Sequence, residues 1–562
     1  MATSHMALAV NCCINQRRPA AVPDSFYHPR NTLSSVFKPI LKGFQGPILE
    51  TIKEKGAKLV DAFVDSTFEF VDQPLLPSQS NFAPVEELGE AVAITSIEGQ
   101  LPDGFPDGVY IRNGSNPLFG GLKSTRSVFG RSSDAWVEGE GMLHALYFRK
   151  QSDGSRTLLY NSKYVETDTL LLETHGNKRS FLPAVDGDSL AILSAILLNS
   201  LRFGKVNKLM SNTNVFEHAG KFYSIAENDI PQEIDIFTLK TIRNWNVGGA
   251  WNRPFTSHPK KAPGTGELVT CGFDPATKPY NEVGIISADG SRMIHKVDIK
   301  LERCSFCHET GVTQRYNVIM DFPLILDFKR LLRGGPLIKY EKEEYARIGV
   351  MPRYGDANSI KWFGVENNFT FHIFNSFEDG DEVVLWGCRA LEVVFPEPKE
   401  GWSKFKFPHC YEWRLNMQSG KVKERRLCGE QHAMDFPMIN AKFTGVRNRF
   451  GYAQVIDRTA TSIAGKLKYG GIAKLCFEEA MTVEYHMFEK NVYCTGAAFV
   501  PKDGGLQEDD GWVITFVHNE DTDMSQVRII DAHEFSGKAS AIITIPRRVP
   551  YGFHGAFMPI SF

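Results

Sequence analysis

The chain lacks several things that would settle its class at once. It has no run near the roughly 20 apolar residues of a spanning helix, so no transmembrane segment is expected. It lacks an apolar core segment followed by a small-residue cleavage site, so no secretory signal is read. It has little net charge: 63 Lys and Arg against 66 Asp and Glu leave −3 over 562 residues. That balance offers no footprint for nucleic acid. Its ten cysteines follow no framework spacing, which predicts free thiols in a reducing compartment. Acidic residues are scarce at the start. Between Met6 and Leu49 only Asp24 opposes Arg17, Arg18, Arg30, Lys38 and Lys42. Such an arm suits an organelle transit peptide or a disordered tail. The first five residues read as a tag remnant. No repeated motif marks a period either.

What is abundant is apolar surface. Hydrophobic residues make up 42% of the chain and Phe alone numbers 40, enough for a large core or a greasy ligand wall. Residues 34–75 carry apolar positions at helical spacing (Leu49, Ile52, Leu59, Val60, Phe63, Val64, Phe68), with charges between them. Gly43, Gly46 and Pro47 predict a break. A second apolar stretch, Leu190–Leu198, is followed by Arg202, Lys205 and Lys208. Each segment reads either as a core helix or as a helix lying in one leaflet of a membrane.

From about residue 105 short alternating strands are punctuated by turn dipeptides: Asp107-Gly108, Ala219-Gly220, Asp289-Gly290, Asp379-Gly380, Ser419-Gly420 and Ser536-Gly537. So many hairpins in one unbroken stretch predict an all-β fold. A β-propeller fits best, because it leaves only short, protected edges. Residues 324–348 are expected to form a loop or short helix over one face. The Pro-rich pieces at 252–263 and 395–408 are read as loops. The helical segments and these insertions form a helical and loop cap. The organisation predicted is an arm over 1–33, an amphipathic membrane-contact segment over 34–75, and a catalytic domain over 76–562 with insertions near 189–210 and 324–348.

His554 stands between aromatics and glycine in Tyr551-Gly552-Phe553-His554-Gly555, too apolar a setting to be left in water. A buried imidazole needs a partner or a metal. His258, His308 and His372 occupy similar settings, but so do His218, His432 and His518. None pairs at local zinc-finger spacing, so these residues meet only if successive blades aim side chains at one axis. Cys304-Ser-Phe-Cys307-His308 matches a haem-attachment pattern, but a β-rich chain without a secretory signal argues against haem.

Laid side by side, several stretches resemble the plant carotenoid cleavage dioxygenases, also called carotenoid oxygenases. They include Gly108-Val-Tyr-Ile-Arg-Asn-Gly-Ser-Asn-Pro, Glu138-Gly-Glu-Gly-Met-Leu-His, Ala226-Glu-Asn-Asp-Ile-Pro, the His258 and His308 segments, Phe371-His372, Asp435-Phe-Pro, Glu508-Asp-Asp-Gly and Val549-Pro-Tyr-Gly-Phe-His. The resemblance implies a seven-bladed β-propeller holding one Fe(II) through His258, His308, His372 and His554. Four neutral imidazoles in an octahedral arrangement leave two positions for O₂. It also implies Glu227 and Asp435 as outer carboxylates, and Phe371 and Phe553 as substrate-lining aromatics. The implied reaction splits a conjugated C=C of a carotenoid or apocarotenoid, with 9,10-type cleavage favoured. Peripheral membrane contact and a plastid rather than the cytoplasm are implied too. Where relatives carry a third glutamate this chain has Gly496, and a glutamate restored there is expected to be tolerated. That departure keeps open a carotenoid-binding or isomerase-type relative without turnover, and stilbene or phenylpropenyl substrates stand as a further alternative.

Overall fold

The computed structural model describes residues 48–393, 405–478 and 481–562. The arm over 1–33, the start of the amphipathic segment and most of the Pro-rich piece at 395–408 lie outside them.

Strands dominate, and they are short, antiparallel and hairpin-linked. One sheet joins Asn214–His218, Lys221–Ile225, Gln232–Ile234 and Thr241–Asn244. The next joins Lys260–Lys261, Leu268–Phe273, Asn281–Ile286 and Met293–Asp298. A third runs through Gly311–Val312, Tyr316–Asp321, Ala346–Pro352 and Lys361–Val365. A fourth contains Phe369–Asp379, Glu382–Ala390, His409–Asn416 and Val422–Arg426. The strands from Met434–Met438 to Ala541–Thr544 form one nine-stranded sheet whose far edge is the early strand Ile97–Gly99. The turn dipeptides sit where the sequence puts them. Ala219 and Gly220, with φ of 54° and 75°, make the left-handed corner that a two-residue hairpin needs.

A five-stranded sheet unites the two ends of the fold. Gly555–Pro559 pairs with Gly108–Ser115, Gly555 opposite Arg112 and Pro559 opposite Gly108. This register holds the His554 segment against residues met early in the chain. The inner strands are buried on both faces. Gly141–Lys150 is buried through its first eight residues, as expected for a strand packed between neighbouring layers.

Five helices are present among the described residues: α1 (Ile48–Thr67), α2 (Asp168–Gly176), α3 (Ser189–Phe203), α4 (Phe328–Leu332) and α5 (Arg458–Ala464). The core reading of the apolar helices holds in part. α1 turns Val64 to the core and leaves Leu59 72% exposed. α3 buries Ile192, Ala195 and Ile196 and leaves Leu190 and Leu201 exposed. Arg202 of α3 ties the two together through Asp61 at 2.6 Å. No helix among the described residues is long and apolar enough to cross a membrane.

Two expectations change. The predicted helix does not run to residue 72, because Glu69–Asp72 is a strand paired with Lys123–Ser127. Residues 324–348 are more than a loop. Leu324–Leu326 and Ile338–Tyr340 flank α4 as strands of a small sheet with Cys304–Ser305. Three-residue strands are too short to show alternation in sequence.

Candidate metal centre

Four segments from different sheets converge. His258 lies in the Pro-rich loop before Lys260–Lys261 and bridges in parallel to Glu309. His308 follows Cys304–Ser305. His372 sits in Phe369–Asp379 where the register shifts between Thr370 and Ile373, an irregularity that re-aims a side chain. His554 directly precedes the closing strand. One nitrogen from each ring lies within 4.8 Å of the others. His308 Nε2 is 3.0 Å from His372 Nε2, and His554 Nε2 is 3.1 Å from it. Two nitrogens at right angles and about 2.1 Å from a common metal would be about 3.0 Å apart. His258 Nε2 is buried with no hydrogen-bond partner among the described residues. An orphaned imidazole nitrogen facing three others fits a metal ion and little else.

Three of the rings are held neutral by burial. Burial holds His258, His308 and His554 well below the usual imidazole range, and the neighbouring His372 pushes each further down. Outer carboxylates fix two of the rings. His308 Nδ1 meets Glu227 Oε1. His372 Nδ1 donates to Asp435 Oδ1 at 2.8 Å. The partner of His258 Nδ1 is the amide nitrogen of Asn214, at 3.4 Å. His554 has no carboxylate partner among the described residues. Gly496 has a φ of 69°, and a β-carbon there would lie 2.1 Å from Arg112 Cγ. Its carbonyl also packs where Gly555 would carry a side chain. The expectation that glutamate would be tolerated at 496 is thus overturned. The space belongs to Arg112, whose Nε and Nη2 are buried without partners among the described residues. Burial brings its guanidinium down to about 10.

His308, His372 and His554 open onto a cavity of about 410 Å³. Phe371 and Phe553 both line it, with Phe306, Phe273 and Val206 among the apolar wall. Phe371 stands edge-on to His308 at 5.2 Å. Glu138 lines it too, accepting from Ala135 N at 2.7 Å and from Asn207 Nδ2 at 3.2 Å. Glu140 turns away to Lys208.

The other histidines of similar setting do not join. His218 bonds Ser287 O at 2.9 Å, His518 bonds Ser525 Oγ at 3.0 Å, and His432 packs on Tyr485. Free thiols were expected throughout, but Cys307 is bonded to Cys271, because adjacent segments bring both side chains together. Cys304, Cys388, Cys410, Cys428, Cys476 and Cys494 remain free. Phe436 was missed by sequence reasoning. It follows Asp435 directly, and only its backbone, with φ at 55°, reveals where its ring points.

Fold and site together define a β-sheet protein with four converging imidazoles, able to hold a metal ion, beside an apolar cavity. The model of the retinal pigment epithelial membrane protein family matches residues 82–559, and the chain belongs to that family, the carotenoid oxygenases. It is 33% identical over 527 residues to a carotenoid 9,10(9′,10′)-cleavage dioxygenase of Crocus sativus, covering 89% of this chain and 92% of that one. A chloroplastic 9-cis-epoxycarotenoid dioxygenase of Oryza sativa is 29% identical, covering 87% of this chain and 78% of that one. Among solved structures, a Pseudomonas brassicacearum lignostilbene dioxygenase superposes with a TM-score of 0.74 at 21% identity, covering 87% of this chain and 100% of that one. A cobalt-substituted Synechocystis relative has a TM-score of 0.71 at 19% identity, with the same coverage.

Proposed function

We propose that this protein is a non-haem Fe(II)-dependent dioxygenase that cleaves a conjugated C=C of a carotenoid or apocarotenoid into two carbonyl products, at a 9,10-type bond. The observation that carries this reading is the set of four converging imidazoles, three of which open onto an apolar cavity. His258, His308, His372 and His554 are the ligands, and Fe(II), one per chain, would supply activation of O₂. Glu227 and Asp435 hold the His308 and His372 rings in the tautomer that leaves Nε2 free for the metal. Phe371 and Phe553 line the substrate's path and exclude water from it, which is the protein's share of such chemistry.

The sheets fit seven blades around one axis. The nine-stranded sheet counts as two, and the pairing of Gly555–Pro559 with Gly108–Ser115 closes the ring. Residues 76–562 then form the catalytic unit. α1 and α3, with Leu59, Phe63, Leu190 and Leu201 exposed and Lys205 following α3, form a docking face for one leaflet. Val185 and Val206, which flank α3, line the cavity, so a membrane-dissolved substrate would enter there. A plastid location agrees with the chloroplastic relatives.

The test is a panel of carotenoids and apocarotenoids under ¹⁸O₂, read by mass spectrometry. Labelled aldehydes or ketones are expected, and none from any substrate would overturn the reading. Sedimentation with vesicles tests the docking face: Leu59→Glu with Leu201→Glu should abolish binding while wild type binds.

A further inference from the structure

Phe436 is held in a conformation that a bulky residue adopts only under constraint, with φ at 55°. Its own amide donates to Asp435 Oδ1 at 2.8 Å, the oxygen that also receives His372 Nδ1. The ring is thereby pinned beside the metal centre, 4.8 Å from the His372 ring and 4.5 Å from that of His554. On its far side lies a second cavity of about 380 Å³. Phe436, Trp136, Leu467 and Phe553 line both cavities, so these four side chains form the partition between them.

The second cavity suits a hydrocarbon despite its polar residues, because most of those are already engaged and the one buried hydroxyl without a partner among the described residues, that of Tyr469, loses none when a ring enters. Lys468 binds Glu520 at 2.7 Å, and Tyr551 donates to the same carboxylate at 2.8 Å. Thr495 Oγ1 donates to Gly552 O at 2.9 Å, and Ser115 bonds Glu138 O. A ring entering here leaves no buried polar group newly unpaired, the condition under which burial of apolar surface is favourable.

We propose that Phe436 is a specificity-determining residue: it sets how far an extended polyene passes the metal centre, and the second cavity receives the ring-bearing end. This rests on the cleavage reading above. The rigid rod stops where its terminal ring lodges among the four partition side chains at the mouth of the second cavity, and the double bond then lying over the four imidazoles is the one cut. Thinning the partition lets the rod travel deeper and moves the cut inward.

The experiment compares wild type with Phe436→Gly, which suits the left-handed backbone, and with Leu467→Ala, which thins the same wall without touching a histidine. All are loaded with iron, and iron per chain is measured. On one apocarotenal, the ratio of the next-inward product to the wild-type product should rise about tenfold in both variants. An unchanged ratio in Leu467→Ala and in iron-loaded Phe436→Gly would overturn the proposal. A second readout does not depend on turnover: binding of two polyene aldehydes of different length, followed by their absorption shifts. The longer one should gain affinity in the variants and the shorter one should not; equal changes for both count against the divider. If wild type cleaves nothing, the cleavage reading fails, and this binding comparison still decides the role of Phe436.

Discussion

Gly496 lies against the stem of Arg112 so closely that a β-carbon on the glycine would stand 2.1 Å from Arg112 Cγ. The guanidinium beyond it has two buried nitrogens without partners among the described residues. Relatives with a glutamate at this place would have to route both chains differently. Gly496→Ala and Gly496→Glu should each lower the melting temperature, by about 2 kcal/mol or more of stability, from the left-handed backbone and the collision together. Thermal denaturation of the metal-loaded variants checks this, and a Gly496→Glu protein as stable as wild type would contradict it.

His554→Ala removes one of the four proposed ligands from a fold whose C-terminal strand Gly555–Pro559 is held by backbone pairing, not by the imidazole. Iron per chain should drop below about a tenth of wild type and cleavage should vanish, while the circular dichroism spectrum stays that of a β protein. Loss of the spectrum together with the metal would mean that the ring is a core contact.

Glu227→Gln and Asp435→Asn keep the size of the outer groups but remove their charge. Metal affinity should weaken about 10- to 100-fold in each, as measured by competition with a chelator. The effect should be greater than that of Asn214→Ala, since Asn214 reaches His258 only at 3.4 Å.

Glu138 is pushed up to about 7, first by burial and then by the neighbouring Asp134, against Asn207 and Arg179. Between pH 4.5, its ordinary value, and 7 the folded protein keeps a proton that the unfolded chain has released. The folded state binds more protons there, so stability falls as pH rises through this window and levels off above it. Burial raises the carboxyl by an amount equivalent to about 3 kcal/mol at most. In Glu138→Gln this part of the decline should disappear, as seen by denaturant titration from pH 5 to pH 8.

The β-rich architecture was readable because hairpins declare themselves locally: Ala219-Gly220 and Asp379-Gly380 specify their turns from two residues each. α1 and α3 were readable from spacing, although the same spacing could not say which face meets the core. The four histidines were different. Nothing local separates His372 from His518, since both sit among apolar neighbours on a strand. Only the resemblance, and then the register shift at Thr370/Ile373, tells them apart. Phe436 and the Cys271–Cys307 bond were invisible, because one depends on a backbone angle and the other on side chains brought together by tertiary packing. Gly496 was noticed as a departure but misjudged. Sequence shows that a carboxylate is missing, not that an arginine stem has taken its room.

The strand Gly555–Pro559 beside Gly108–Ser115 also orders events in time. Hairpins within each sheet form early, because their loops are short, while joining segments this remote waits for most of the molecule to be in place. His554 therefore arrives after its three counterparts, and a half-folded chain has no complete nest of imidazoles to offer. A metal ion held by all four imidazoles would then be captured only once the two ends of the fold have met.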